Sequence, residues 1–493
     1  MCGLDGEYVC NCCPIVTVLC KTLFGAVGRQ LADNIILSLA KSGISKGGRV
    51  AGTNRWREWM AWPHRQVWGI ALPLMLSNVS VPLLGLVDTA VMGHLDSEVY
   101  LAAVSLGSML FMLLFWSFGF LRMGTSGQTA QAFGADNGVK IQQSLIIGLR
   151  LAGVITLVLW TLQTPLAQIS FDFFQGPREV EALARDYYDI RIWGAPASLM
   201  NYVFLGWFIG LHRGRYPLYL LVFTNSMNIV LDLLFVVGFE WGIIGVAWAS
   251  VMAEYSGLML SLVLSRRLLK RYCHHTNGST AIDLNTVLNH LKVNFDIFLR
   301  TLCLVISFAY FTNQGAKQGE LILAVNAVLL NFQLFMAHAL DGLANAAEAL
   351  VGQAKGMKNA VRFWRVVKTC ALWSLLVALG FVAVYWGFGE VIVRLLTTLP
   401  DVVRWCDEYL VWVIVLPIVS VWSFLFDGVF IGSMWSREMR NTMLLSTVGF
   451  VLCVELSSAW GNHGLWFSLL VFMALRGGFM GWVLWYKQKV VLA

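Results

Sequence analysis

Residues 73–95 read PLMLSNVSVPLLGLVDTAVMGHL. From Pro73 to Leu95 the stretch is almost wholly apolar and long enough to cross a bilayer, which takes about 20 residues of helix. One carboxylate, Asp88, sits near its far end beside Gly85, Thr89 and Ala90. A carboxylate inside hydrocarbon costs roughly 2.5–3.5 kcal/mol on insertion scales and normally faces a bundle interior. Desolvation favours the protonated form of an acid. Asp88 therefore reads either as a proton-binding switch or as a satisfied structural carboxylate near the membrane surface. Pro82 removes an intrahelical donor and displaces the carbonyl of Asn78, and Pro73 stands near the start of the same span. A helix weakened at two points bends at small cost, which makes bending linked to Asp88 a physically sensible switch.

The rest of the chain has the same character. Of 493 residues, 58% are hydrophobic and only 13% charged, against about 25% charged in soluble domains. This is the composition of a polytopic membrane protein. The net charge of +7 is spread over short loops, which suits cytoplasmic loop charge rather than nucleic-acid binding.

Residues 1–60 differ. They hold Gly and Ser clusters, one weak apolar run (Ile15 to Leu23) and half of the ten cysteines. There is no basic n-region, so the segment does not read as a signal peptide. Cys10, Cys12 and Cys13 are close enough to share a metal, but no His or second CxxC pair follows at a zinc-like spacing. Met60 stands just before the first strong span, and the expectation is that translation starts near it.

Twelve hydrophobic spans follow, at about 66–93, 99–133, 141–163, 183–211, 216–238, 242–269, 290–315, 321–354, 361–386, 404–432, 438–458 and 464–486. Residues 164–182 and 270–289 read as the longer loops. The expected organisation is a lead (1–60), an N-terminal six-helix lobe (61–270), a cytoplasmic linker (271–289) and a C-terminal six-helix lobe (290–493). Lys and Arg crowd one side of this topology, among them Arg213, Arg215, Arg266, Arg267, Lys355, Lys358, Arg362 and Arg440. The positive-inside rule makes that side cytoplasmic and places both termini there.

The two halves repeat at an offset of 222 residues. Gln131-Ala-Phe-Gly134 meets Gln353-Ala-Lys-Gly356, Gly206-Trp-Phe-Ile-Gly210 meets Gly428-Val-Phe-Ile-Gly432, and Tyr187 meets Tyr409. Three matches in one register argue for duplication. Six spans per half make the repeats parallel, related by an axis along the membrane normal, as in transporters with a binding cavity between halves. The fold class expected is an all-α polytopic membrane protein of twelve transmembrane helices in two six-helix lobes with that pseudo-twofold symmetry.

Polar stripes cross the spans. Asn225, Asn228 and Asp232 share one face of the fifth. The fourth adds Asn201, and the sixth adds Ser250 amid the small residues Gly245, Ala247 and Ala249. With Asp88 these groups either surround a proton or small hard cation, Na+ included, or form a hydrogen-bond network between packed helices. The eighth span carries Asn331, His338, Asp341, Asn345 and Glu348 on one face. They line a substrate cavity, form a second protonation site, or bond to Arg300 or Asp296 of the seventh. Asp427 of the tenth reads as cavity-lining, and Arg122 as a mouth or structural residue. No GxxxxGK[ST], HExxH or GxSxG occurs, so neither an ATP-driven pump nor a hydrolase is indicated, and no cofactor is called for.

The segments Pro82-Leu-Leu-Gly-Leu-Val-Asp88-Thr-Ala-Val-Met-Gly-His-Leu95, Thr129-Ala-Gln-Ala-Phe-Gly134 and Leu425-Phe-Asp427-Gly-Val-Phe-Ile-Gly432 closely resemble the DinF-type branch of the multidrug and toxic compound extrusion (MATE) family, from about residue 62 to 486. The resemblance implies a V-shaped, two-lobe bundle in a bacterial inner membrane that alternates between outward and inward openings. It implies efflux of amphipathic, often cationic small molecules against inflowing H+ or Na+, by a monomer among membrane lipids with no nucleic-acid partner. It implies Asp88 as coupling residue, with Asp232, Asn228, Asn201 and Ser250 (a Thr is familiar there) as partners and a bending first helix whose proline is Pro73. Substrate would meet Asp341, Asn345, Glu348, His338, Asp427 and Arg300. The branch is linked by name to the SOS response, on which no residue here speaks. The alternative is a lipid-linked precursor flippase of the same architecture. It would need several cationic residues in the cavity, where the sequence offers mainly acidic ones. A membrane-embedded enzyme would need a nucleophile–base or metal set that the sequence lacks.

Overall fold

A computed structural model describes residues 63–78, 98–174, 177–272 and 283–492. Asp88, Pro82, Met60, Cys10, Cys12, Cys13 and most of the expected linker lie outside the described residues. The described backbone is a series of helices: α1 (63–78), α2 (Glu98–Ser117), α3 (Phe120–Gly134), α4 (Gly138–Thr161), α5 (Gln163–Phe174), α6 (Arg178–Arg191), α7 (Ala195–Gly210), α8 (Arg215–Asp232), α9 (Gly242–Tyr272), α10 (Leu284–Lys317), α11 (Glu320–Gly356), α12 (Ala360–Leu396), α13 (Pro400–Gly432), α14 (Ser436–Leu456) and α15 (Gly461–Leu492). Among the described residues, eleven spans are long and apolar enough to cross a membrane. The expected first span is described only as far as Asn78.

Three local departures from the sequence expectation have physical causes. The second span is two helices: i→i−3 bonds from Phe118 and Gly119 to the carbonyls of Phe115 and Trp116 tighten the chain between α2 and α3. The expected loop over 164–182 contains α5, whose Pro165 falls in the first turn, where its missing N–H is not needed. The fourth span is α6 and α7 joined by a short 3-10 turn, Ile192–Gly194, followed by Pro196 at the start of α7.

The core forms three clusters. One, around Trp207, Phe204, Phe208, Tyr187 and Phe171, belongs to α2–α9 with Ile297 of α10. A second, around Phe311, Phe332, Trp466 and Phe472, belongs to α10–α15. A third joins α1 and Ile209 to α11, α12, α13 and α15. Each fully buried aromatic removes about 150–250 Å² from solvent or lipid.

The duplication is visible atom by atom. A side chain at Gly206 would collide with the carbonyl of Arg122, and one at Gly428 with that of Ala344; both pairs of partners are 222 apart. Gly210 lies against the carbonyl of Ser126 as Gly432 does against that of Glu348. Asn137 Oδ1 accepts from Lys140 N at 3.0 Å, and Asn359 Oδ1 accepts from Arg362 N at 2.9 Å. Asp136 and Lys358 take φ of 51° and 53°, His212 and Met434 of 59° and 55°. The decisive pair is reciprocal. Gly134 abuts the carbonyl of Gln353 while Gly356 abuts that of Gln131. A pseudo-twofold axis passing between α3 and α11 requires this exchange.

Candidate transport sites

The N-terminal half holds a cavity of about 200 Å³ lined by Asn201, Asn228 and Ser250, three of the five residues named from sequence as a cation site. Asn201 is on α7, Asn228 on α8 and Ser250 on α9. Asn228 Nδ2 donates to Ser250 Oγ at 3.4 Å. Asn201 Nδ2 donates to the Glu254 carbonyl at 3.0 Å and its Oδ1 accepts from Ser261 at 3.2 Å, which fixes the amide. Asp232 is buried one turn beyond Asn228, at the end of α8, but does not line the cavity. There α8 passes into a π-helical segment, Leu233–Gly238. Such segments often lie at functional sites. Asp88 is outside the described residues.

Pro73 lies within α1, and Ser77 Oγ donates to its carbonyl at 2.8 Å. Asn78 Nδ2 donates to the carbonyl of His338 on α11 at 3.0 Å, tying the described end of the first helix to the other half.

The second constellation joins α10, α11, α13 and α15. Asp427 accepts from both Arg300 and Arg476, the latter at 2.9 Å, and all three side chains are buried. Asn345 Oδ1 accepts from Arg122 Nη1 at 2.7 Å, a bond from α3 to α11. Glu348 is buried on the same face, with Oε1 lacking a hydrogen-bond partner. Asp341 is exposed yet lies in the field of Arg122, His338, Arg300 and Asp427. His338 Nδ1 is 2.7 Å from the Leu334 carbonyl. Asn331 departs from the expected inward stripe: it is exposed and donates to the Ala327 carbonyl of its own helix. Asp296 is bound by Arg440 at 2.6 Å and Ser436 at 2.8 Å and belongs to a separate pair.

The expectation of a mainly acidic cavity is corrected here. Arg122, Arg300 and Arg476 stand among Asp341, Asp427 and Glu348, so the cluster is charge-balanced. Burial without a counter-charge would penalise Asp427, and Arg300 and Arg476 answer that penalty.

Comparison with known proteins decides the family. The MatE family profile matches residues 73–234 and 297–455, one match for each half. The DNA damage-inducible protein F of Escherichia coli is 43% identical over 419 residues, 84% of this chain and 90% of its own. The chain belongs to the MatE family. More distant MatE relatives include Protein DETOXIFICATION 44, chloroplastic, of Arabidopsis thaliana, 26% identical over 83% of this chain and 80% of its own. Another is a probable multidrug resistance protein NorM of Thermotoga maritima, 25% identical over 68% and 72%. In structure, the outward-facing conformation of a multidrug resistance MATE family transporter of the MOP superfamily superposes with a TM-score of 0.77 at 20% identity, covering 90% of this chain and 99% of that one. That likeness shows the fold. As a MatE protein the chain is a membrane transporter and not an enzyme.

Two features of this MatE chain escaped the sequence reading. Arg191 Nη2 and Nη1 hold Glu254 Oε1 and Oε2 at 2.5 and 3.0 Å, and the pair lines the N-half cavity. Arg476 supplies the second cation of Asp427. The signal was present in both cases, as a charge near the middle of an apolar span (Glu254 in α9, Arg476 in α15).

Proposed function

We propose that this protein is a secondary active antiporter of a bacterial inner membrane, with both termini cytoplasmic. It exports amphipathic, often cationic compounds in exchange for H+ or Na+. Asp88 is the coupling residue, and Asp232, Asn228, Asn201 and Ser250 are its partners. The observation that carries the reading is the N-half cavity, into which three separate helices bring Asn201, Asn228 and Ser250. Amide and hydroxyl oxygens with nearby carboxylates suit a hard cation or a proton, and the residues present fit either. If the Lys- and Arg-rich side is cytoplasmic, the reciprocal α3–α11 contact closes that side, as outward-open alternating access requires.

The flippase reading gains from Arg122, Arg300 and Arg476. Each is engaged, however: Arg300 and Arg476 by Asp427, Arg122 by Asn345. A pyrophosphate would have to displace those partners, which favours the antiporter.

The test is transport in proteoliposomes with pH and sodium gradients imposed separately. Wild-type protein should move an amphipathic cation under one gradient or both. Asp88→Asn should fold, bind the compound and lose gradient-driven transport. Undiminished transport by Asp88→Asn removes that residue from the mechanism.

A further inference from the structure

The cavity named above has a charged wall that the coupling residues do not explain. Arg191 of α6 and Glu254 of α9 form a two-pronged pair, with side-chain exposures of 11% and 17%. Ser198 Oγ of α7 donates to Glu254 Oε2 as well. The Arg191 guanidinium lies over the rings of Phe111 and Phe115 of α2, at 5.5 and 5.3 Å from their centroids. A Cβ at Gly194 would lie 2.6 Å from Arg191 Nη1 and 2.7 Å from Glu254 Oε2. The turn between α6 and α7 therefore lacks a side chain where the pair needs room. Four helices and one turn build this wall, and it faces the same space as Asn201, Asn228 and Ser250.

A buried pair is an expensive way to hold helices together. Apolar side chains of similar volume often do so equally well or better. The pair does have a property that apolar residues lack. It is neutral as a whole, yet it offers a carboxylate to a cation and a guanidinium to an anion.

We propose that the N-half cavity admits the exported compound beside the coupling groups, and that Arg191 and Glu254 are specificity-determining residues there, a charge-balanced wall that lets the cavity accept compounds of either sign. This deepens the transport reading and rests on it. Compounds of either sign find a partner on the intact wall, and removal of one member leaves the other to repel compounds of its own sign.

The test uses the full chain in detergent and three amphipathic dyes of similar size, one cationic, one anionic and one neutral. Equilibrium binding is measured by fluorescence anisotropy. The readout is the ratio of cationic to anionic affinity within one preparation, which does not depend on the amount of folded protein. Glu254→Gln should lower the ratio about tenfold and Arg191→Gln should raise it about tenfold, as one unscreened charge a few ångströms away demands. A ratio within twofold of wild type in both variants, or moved in the same direction by both, overturns the proposal. Should the single variants not fold, Arg191→Met with Glu254→Leu is the second arm, since apolar replacement of a buried pair is commonly tolerated. Relative to the neutral dye, both charged dyes should then bind about tenfold more weakly. Undiminished binding of the charged dyes overturns the proposal equally. Dye flux in proteoliposomes is scored separately. Intact binding without gradient-driven flux defeats the antiporter reading, while the binding ratio still decides the wall.

Discussion

At the scale of single residues, Asp427 of α13 holds Arg300 of α10 and Arg476 of α15 on one carboxylate. Its type and place, an acid inside an apolar span, mark it as inward-facing. Its partners are 127 and 49 residues away, and no spacing rule links them. With Arg300 and Arg476 both on its Oδ2, Asp427 is the only one of the three whose loss strands two cations. Asp427→Asn should therefore cost about 3–5 kcal/mol. Arg300→Met leaves Asp427 with Arg476 and should cost clearly less. Thermal unfolding of the purified variants checks the order, and an equal loss in both would show that the pairs are not coupled. The same division holds in the other half. Asn201, Asn228 and Ser250 were legible as polar groups in apolar helices. The Arg191–Glu254 pair was not, because pairing across 63 residues is a property of packing.

At the scale of elements, periodicity and length located the spans, while their breaks depended on turn chemistry. Nothing in Phe118-Gly119 forbids a continuous helix, and the split between α2 and α3 is made by tightened i→i−3 bonds. The glycines are the reverse case: their positions are legible and their purpose appears only on packing. At Gly134 an added methyl meets the carbonyl of Gln353, a backbone atom that has no rotamer to move aside. Gly134→Ala should lower stability by about 1–3 kcal/mol through overpacking. Gly153 has nothing within 4 Å of an added Cβ, and there Ala should be neutral or gain up to about 1 kcal/mol of helix propensity. Unfolding temperatures of the two variants, measured side by side, separate the close approach from a general effect of removing glycine.

At the scale of the whole molecule, the duplication was the most legible feature, because a shared register survives in sequence where contacts do not. What the register does not reveal is where the two repeats have diverged in chemistry. His212 and Met434 occupy equivalent turns with the same left-handed φ. Met434 lays its sulfur near Gly127 across the pseudo-axis, 3.0 Å from where a Cβ would be. The equivalent of Gly127 is Ala349, and His212 Nε2 donates to its carbonyl at 3.0 Å. His212 thus bonds to backbone where its counterpart Met434 only packs, and on the Met434 side the bond between halves comes instead from Gln131 Nε2, which donates to the Gly432 carbonyl at 2.9 Å. Burial, aided by the Arg362 and Arg213 charges and opposed by the Ala349 bond, pushes His212 down from its usual value near 6.5 to about 4. The neutral ring is the form that fits the closed contact, while a ring released by opening titrates near 6.5. The closed contact is therefore at full strength above pH 6.5 and weakens as the pH falls from there towards 4. Hydrogen exchange at the Gly352–Gly356 backbone should quicken on the order of tenfold between pH 7 and pH 5, after correction for the intrinsic rate. His212→Gln keeps a donor without a titrating ring, so its corrected exchange should be flat with pH. His212→Met removes the hydrogen bond to Ala349 and keeps only packing at that turn, and it should exchange faster than His212→Gln at every pH. If the two variants exchange alike, the hydrogen bond does not hold the contact. If wild type is flat with pH, the ring does not titrate on opening.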